Sequence, residues 1–169
     1  MQGCRFILMV SVLVCGSTVA SADSNSLPKN FKFKGLNKGE VFTQASLKKS
    51  DLTVISFFAS WCGKCSETMY ELNNIAGQFD DVQWVALSVD EDVGTAKDYF
   101  KYLPQKYKGL KKKAYIDVDV TLATSIDLDA LPAYVIVDSK GKVIHSGSGH
   151  PNANGLKLIK SVIAKNTGH

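Results

Sequence analysis

Two cysteines three residues apart are the feature that most constrains what this chain can fold into. Residues 61–65 read Trp-Cys-Gly-Lys-Cys and follow residues 52–58, a largely apolar run rich in β-branched and aromatic side chains. Such a run is typical of a strand that is buried on both faces of a parallel sheet. Apolar residues at helical spacing follow the second cysteine, so the pair is predicted at a strand-to-helix junction.

The spacing of Cys62 and Cys65 indicates redox chemistry. A disulfide that closes so short a loop adds little stability, but it is easily opened and remade. We expect Cys62 at the start of the helix, where unpaired N–H groups and the helix dipole favour a thiolate. Lys64 adds a positive charge that lowers the thiol pKa further. Cys62 is therefore the predicted nucleophile, and the more deeply buried Cys65 is predicted to resolve the mixed disulfide.

Two other interpretations of the cysteine pair compete with a redox role. A structural disulfide fits an exported protein, but it does not fit so short a loop. Half of a zinc site would need further ligands, and His145, His150 and His169 have no partner spacing. The redox interpretation is favoured over both. It needs no metal and no organic cofactor, because the electrons travel as dithiol and disulfide.

The N-terminal segment predicts export. Residues 1–22 carry one charge, Arg5, then an apolar stretch at 6–14 and small residues up to Ala22, as in a cleaved secretory signal. The apolar stretch is shorter than the about 20 residues of a membrane span. An uncleaved N-terminal anchor is the alternative, whereas Val14 argues against lipidation of Cys15. We expect an exported, periplasmic protein with one remaining cysteine pair.

The rest of the chain predicts a single domain after a short linker. Residues 23–29 are polar and turn-rich, which indicates a flexible lead-in, and residues 30–166 are enough for one core. A hairpin is predicted around residues 37–39, and strand and helix patterns then alternate before a final hairpin and helix. This order predicts an α/β fold with a central mixed sheet, helices on both faces and an N-terminal β-hairpin extension.

Charged residues refine this outline. The second predicted helix should begin at the acidic residues Asp90, Glu91 and Asp92 and should stop near Pro104. The formal net charge is +4, and a lysine-rich run at residues 106–113 contributes to it. No aromatic residues are interleaved with these lysines on a regular repeat, so a solvated loop is favoured over a nucleic-acid patch.

Two segments carry a specific resemblance. Residues 57–65 read Phe-Phe-Ala-Ser-Trp-Cys-Gly-Lys-Cys, and residues 129–143 read Asp-Ala-Leu-Pro-Ala-Tyr-Val-Ile-Val-Asp-Ser-Lys-Gly-Lys-Val. The sequence resembles the thioredoxin superfamily, and more closely its exported TlpA-like branch, to which the cytochrome c maturation reductases belong. The resemblance implies a thioredoxin fold in which Pro132 is cis and faces the cysteines. It also implies that the Leu131 backbone pairs with substrate, while Trp61 is expected to form a partly exposed wall.

The same resemblance implies an activity and partners. It indicates a thiol–disulfide oxidoreductase that reduces protein disulfides and is recharged by a membrane electron donor. Apocytochrome c or another exported cysteine protein would be the client. One alternative is an oxidant that donates its disulfide. Another is a non-enzymatic module that holds partners or delivers copper, since two thiolates suit Cu(I). No nucleic-acid partner is expected.

The sequence departs from the family pattern at three positions. Ser56 stands where thioredoxins often carry a buried acid, and Thr68 and Tyr70 stand where the TlpA-like branch often has glutamate and proline. The proton acceptor for Cys65 is therefore left open.

Three charged or titratable residues near these positions are assigned to the surface. Glu67 is displaced by one residue from the family glutamate, about 100° around a helix, and is expected to pair with Lys64 in solvent. His145 and His150 are expected to be exposed strand-end and loop residues.

Overall fold

The computed structural model describes residues 26–167 of the chain. The predicted signal, residues 1–22, lies outside them, as does the start of the predicted lead-in. Within residues 26–167 no helix has both the length and the hydropathy that crossing a membrane requires.

Seven strands form one mixed sheet. They are β1 (Lys32–Gly35), β2 (Val41–Thr43), β3 (Leu52–Phe58), β4 (Val82–Ser88), β5 (Ala114–Ile116), β6 (Ala133–Asp138) and β7 (Val143–Ser148). Their order across the sheet is β2-β1-β5-β4-β3-β6-β7. Strands β3, β4 and β5 run parallel, whereas β6 is antiparallel to β3, and β7 is antiparallel to β6. The β1–β2 hairpin occupies one edge of the sheet, so the predicted mixed sheet with an N-terminal hairpin extension is confirmed.

Helices cover both faces of this sheet. They are α1 (Gln44–Leu47), α2 (Cys65–Ala76), α3 (Val93–Lys106), α4 (Thr121–Ser125) and α5 (Ala153–Asn166). One core packs α2, α3 and α5 against alternate strand residues such as Val54 and Trp84. The other core packs α1 and α4 against the opposite face of the sheet, which includes Ile55 and Val85, the residues that follow Val54 and Trp84 in their strands. All of β3 is therefore buried, as the apolar run predicted for a central strand.

Helix α3 ends at Lys106, two residues after Pro104, so it stops near that proline as expected. Proline removes one N–H donor, but the N–H of Tyr107 donates to the Leu103 carbonyl at 2.8 Å, so the ladder resumes in the last turn. The short helix α1 was not predicted.

The topology brings three loops together at one end of the sheet, where β3 and β4 finish and β6 begins. Phe58 at the end of β3 pairs in register with Ser88 at the end of β4, because these strands are parallel. Strand β6 runs in the opposite direction, and Ala133 at its start pairs with Phe57. The segments that follow β3 and β4 therefore meet the segment that precedes β6. The carboxyl ends of parallel strands are a common place for functional residues.

Candidate active site

The two cysteines of the motif are joined by a disulfide at this end of the sheet, after β3. Cys62 and Cys65 form a disulfide, and their Cα atoms are 5.5 Å apart. Cys65 is the first residue of α2 and is completely buried, whereas 8% of Cys62 is exposed. Cys62 is therefore the cysteine that a partner can approach.

Cys62 lies just before the helix, although the sequence prediction placed it at the helix start. Helix α2 begins at Cys65, and Lys64 is its N-cap residue. The intervening residues form turns, in which the N–H of Cys62 donates to the Ala59 carbonyl and the N–H of Cys65 donates to the Cys62 carbonyl. The helix dipole therefore acts on Cys62 from the adjoining turn.

Lys64 points into solvent and is paired. Its Nζ atom donates to Glu67 Oε2 at 2.8 Å, which confirms the expected surface pair. This hydrogen bond raises the pKa of Lys64 and lowers the pKa of Glu67. Because the lysine charge is shared with a carboxylate, it supplies less net positive potential to Cys62 than the sequence suggested.

An open cleft lies beside Cys62. Its volume is about 490 Å³, and it is lined by Trp61, Cys62, Gly63, Lys64, Leu131, Pro132, Gly149 and His150. The peptide bond between Leu131 and Pro132 is cis. Within residues 26–167 the backbone of Leu131 makes no hydrogen bond to other backbone groups. Leu131 therefore offers a free donor and a free acceptor at the wall of the cleft that also holds the disulfide.

A second hollow continues from this cleft. Trp61 and Leu131 line both, and 74% of Trp61 is exposed, so this wall is more open than the sequence suggested. The second hollow measures about 380 Å³, and its further lining residues are Phe57, Val89, Val120, Ala123, Leu128, Asp129 and Ala130. Most of these side chains are apolar. A polypeptide in the cleft would therefore find an apolar surface next to the disulfide.

Asp90 holds the loop that leads to the cysteines, a role that the sequence did not reveal. The carboxylate is buried and accepts hydrogen bonds from the Ser60 N–H and from the hydroxyls of Ser60 and Ser88. Asp90 was expected at the opening of a helix instead. The cap of α3 is Asp92, which accepts from the Thr95 N–H at 2.7 Å and has a lowered pKa for that reason.

The position of Asp90 could have been found from the strand register. Phe58 pairs with Ser88 on the parallel strand, so the residues two positions further along, Ser60 and Asp90, leave the sheet side by side. Serine and aspartate at equivalent positions after two parallel strands are a donor and an acceptor within reach of each other.

Ser56, which stands in place of a buried acid, is engaged with a neighbouring strand. Its hydroxyl oxygen accepts from Trp84 Nε1 at 2.8 Å, and both side chains are buried. A buried indole N–H needs a partner, and Ser56 provides it. A neutral hydroxyl is no proton acceptor near neutral pH, so this position does not supply the base for Cys65.

His150 lies in a loop, as expected, but it is partly buried because it is a partner of the motif helix. Its side chain is 27% exposed, and Nδ1 lies 2.8 Å from the hydroxyl of Thr68, a buried residue of α2. The loop is held in place by Gly149, whose N–H donates to the Pro132 carbonyl at 2.7 Å. This bond brings the end of β7 to the cleft.

His145 is also less exposed than expected. Its Nε2 atom lies 3.3 Å from the hydroxyl of Tyr134 on the neighbouring strand β6. Partial burial lowers the pKa of His145. This ring is not among the residues that line the cleft beside Cys62, so it provides a matched control for His150.

His150 and the two carboxylates beside it have a spacing that would suit a cation. Ligand atoms of Glu67, Glu71 and His150 lie within 4.8 Å of one another. Glu67 is already paired with the Lys64 ammonium, which competes with a metal for the same carboxylate. We therefore consider these three side chains as groups that bind protons and do not assign a metal to them.

Comparison with known proteins gives consistent matches. The family model described as Redoxin matches residues 22–161. Thioredoxin H2 of Arabidopsis thaliana is 30% identical over 90 residues, which cover 53% of this chain and 68% of that protein.

Solved structures share the fold at lower sequence identity. A thiol:disulfide interchange protein of the thioredoxin family from Chlorobium tepidum has a TM-score of 0.64 at 18% identity, covering 85% of this chain and 97% of its own. A secreted Mycobacterium tuberculosis disulfide oxidoreductase homologous to E. coli DsbE has a TM-score of 0.61 at 22% identity, covering 80% of this chain and 96% of its own.

Proposed function

Because the chain belongs to the Redoxin family within the thioredoxin superfamily, we propose that it is an exported thiol–disulfide oxidoreductase that acts on protein substrates through Cys62 and Cys65. The observation that carries this proposal is a disulfide in a thioredoxin fold that borders an open cleft. Disulfide exchange needs one accessible sulfur and a second sulfur to resolve the intermediate, and the exposures of the two cysteines fit that division.

In the proposed reaction the reduced pair transfers two electrons to a client disulfide. The Cys62 thiolate attacks one client sulfur, the client S–S bond breaks, and a mixed disulfide forms. The Cys65 sulfur then attacks Cys62, which restores the Cys62–Cys65 bond and releases the client as a dithiol. Two electrons pass from the protein to the client in each cycle.

The cleft wall supports a polypeptide as the substrate. The unpaired backbone of Leu131 is suited to bind an extended client segment by main-chain hydrogen bonds. The proposed role of Pro132 is to hold this wall opposite Cys62. The exposed ring of Trp61 and the apolar hollow beside it would contact client side chains.

We propose further that the protein works as a reductant in the periplasm. The support is the predicted signal at residues 1–22, together with the fold shared with a secreted disulfide oxidoreductase. A reductant in an oxidising compartment needs a supply of electrons, so a membrane electron donor would recharge the pair. Apocytochrome c or another exported cysteine protein is the proposed client, and the functional domain would span residues 30–166.

A trapping experiment tests the proposed exchange. In a Cys65→Ala variant the mixed disulfide at Cys62 cannot be resolved, so we expect adducts with exported proteins that dithiothreitol releases. The matched Cys62→Ala variant should form none, because the remaining Cys65 is completely buried. Absence of adducts from Cys65→Ala, or equal adducts from both variants, would remove the support for exchange. Tight one-to-one Cu(I) binding by the reduced protein would favour copper delivery instead.

A further inference from the structure

His150 shares the cleft with the disulfide and with the wall opposite it. The residues that line the cleft with it include Cys62, Lys64 and Pro132. Its ring is fixed from the helix side by the Thr68 hydroxyl, one turn after Cys65. A titratable group therefore lines the same cleft as the sulfur that we assign to attack. Residue 56, where thioredoxins often carry a buried acid, is a serine here.

The contacts of Thr68 indicate which ring nitrogen exchanges a proton. The Thr68 hydroxyl oxygen lies 3.2 Å from the Lys64 carbonyl and 2.8 Å from His150 Nδ1. A hydroxyl has one hydrogen to donate. When that hydrogen is donated to the Lys64 carbonyl, Nδ1 carries a hydrogen and donates to Thr68. Nε2 is then the atom that takes up and releases a proton.

Two carboxylates flank the ring. Glu67 Oε1 lies 3.8 Å from Nε2, and Glu71 Oε2 lies 3.8 Å from Nδ1. Glu71 Oε2 is buried and has no hydrogen-bond partner within residues 26–167. Burial raises the pKa of Glu71, and the hydrogen bond from Lys64 lowers the pKa of Glu67.

The elements around this group contribute lysines. Lys64 acts on the ring through Glu67, and Lys106 of α3 lowers the pKa of the same carboxyl. On the far side of Glu71, a hollow is lined by Lys157 and Lys160 of α5. The cleft wall formed by residues 131–132 and by residue 149 carries no charge.

We propose that His150 is a positioning residue that holds a proton at Nε2 and thereby stabilises the Cys62 thiolate in the reduced protein. The proposal rests on the redox function proposed above. The attractive interaction between imidazolium and thiolate lowers the thiol pKa and raises the imidazole pKa by the same coupling. The reactivity of Cys62 therefore follows the titration of His150 as well as its own.

The proton count of the exchange is balanced with this assignment. Reduction of the disulfide by a dithiol delivers two electrons and two protons. One proton stays on Cys65, and the other lies on His150, which leaves Cys62 as the thiolate. When Cys62 attacks a client disulfide, the first sulfur that leaves the client takes the proton of His150. When Cys65 attacks Cys62, the second client sulfur takes the proton of Cys65, so the client departs with both.

A pH profile of Cys62 alkylation tests the proposal. We compare the reduced wild type with His150→Gln and with the matched control His145→Gln, and we follow the iodoacetamide adduct of Cys62 by mass. His150→Gln should react about tenfold more slowly at pH 6, equivalent to about one unit in the thiol pKa, and should converge with the wild type at pH 9. His145→Gln should follow the wild type. Superimposable profiles of His150→Gln and the wild type would overturn the proposal.

A second measurement needs no variant and covers the case in which His150→Gln does not fold. The pKa of His150 is measured by NMR in the oxidised and in the reduced wild type. We expect a higher pKa after reduction, with no change at His145, because His150 lines the cleft with Cys62 and His145 does not. An unchanged His150 pKa would contradict the proposal. Failure of the redox function would instead appear as absence of mixed disulfides with Cys65→Ala, so the two failures are distinguishable.

Discussion

Two polar networks hold segments that border the disulfide, and they are built differently. The first, the Asp90 network, consists of Ser60, Ser88 and Asp90. The second, the His150 network, consists of Lys64, Glu67, Thr68, Glu71 and His150. The carboxylate of the Asp90 network is buried and accepts several hydrogen bonds of 2.7–3.1 Å. In the His150 network one hydrogen bond fixes the ring, and both carboxylate contacts to it are 3.8 Å long.

The two networks are therefore expected to have different roles, one in stabilising the fold and the other in the pH dependence of Cys62. A buried and satisfied network makes its geometry costly to change, so the Asp90 network holds the loop before Cys62 in place. A partly exposed network with long ionic contacts adds little stability, but its histidine lines the cleft beside Cys62. We therefore expect substitutions in the first network to act on stability and substitutions in the second to act on the pH dependence of Cys62.

The largest effect on stability is expected from Asp90→Ala. The change leaves the Ser60 N–H and the Ser88 hydroxyl without their buried acceptor, which should lower the free energy of unfolding by about 3 kcal/mol. Urea unfolding followed by circular dichroism measures it. The control Asp98→Ala removes an exposed carboxylate of α3 and should leave the free energy unchanged. Equal effects of the two variants would refute the supporting role of Asp90.

A smaller loss of stability is expected from Ser60→Ala. This variant removes one hydroxyl donor, but Asp90 still accepts from the residue 60 N–H and from Ser88. The cost should be about 1 kcal/mol, the usual value for one hydrogen bond. The same urea titration measures it, and a loss as large as that of Asp90→Ala would mean that the hydroxyl alone holds the loop.

Thr68→Val should cost still less, although Thr68 is as buried as Asp90. The valine keeps the shape and the residue 68 N–H, which still donates to the Lys64 carbonyl, while His150 can turn to water. We expect a loss of about 0.5 kcal/mol in the free energy of unfolding together with a clear change in the alkylation profile of Cys62. A large loss of stability with an unchanged alkylation profile would show that Thr68 stabilises the fold and does not act on the pH dependence of Cys62, which contradicts the role assigned to the His150 network.

The smallest effect concerns the pH dependence contributed by Glu71. Burial raises the pKa of Glu71 above its value in the unfolded chain, so the native state prefers the protonated acid. Stability is therefore lost as the pH rises from the unfolded pKa, about 4.3, through the raised native pKa. Glu71→Gln removes this penalty, so it should match the wild type at about pH 3.5 but exceed it at about pH 7.

Solvent screening limits the gain from Glu71→Gln to at most about 0.5 kcal/mol. Chemical unfolding of both proteins at the two pH values measures the difference. A wild type that is more stable than Glu71→Gln at neutral pH would show that the contact with His150 outweighs the cost of burial.

The features of the site that could be predicted from the sequence are those formed by residues close together in the chain. The apolar run of β3, the cysteine spacing and the helical stripe of α2 are all continuous in the chain, so strand, motif and helix were identified together. The Lys64–Glu67 pair was found because residues three apart on a helix are neighbours.

The rest depends on contacts between distant segments. Thr68 and His150 are 82 residues apart, and no periodicity relates a loop histidine to a helix threonine. Asp90 was misassigned because an acidic residue before a helix also fits a cap. The strand register would have corrected this, since it places Ser60 beside Asp90, but the register requires the sheet order.

The proposed function requires that Cys62 and Cys65 exchange electrons reversibly, and their equilibrium reduction potential measures this without any client. The pair is titrated against glutathione or dithiothreitol buffers and read by thiol alkylation and mass. We expect reversible reduction near the thioredoxin value of about −270 mV, as for a reductant with a dedicated electron supply. A value near about −120 mV would make the protein a disulfide donor. A potential well below about −300 mV, typical of structural disulfides, would contradict the redox function itself.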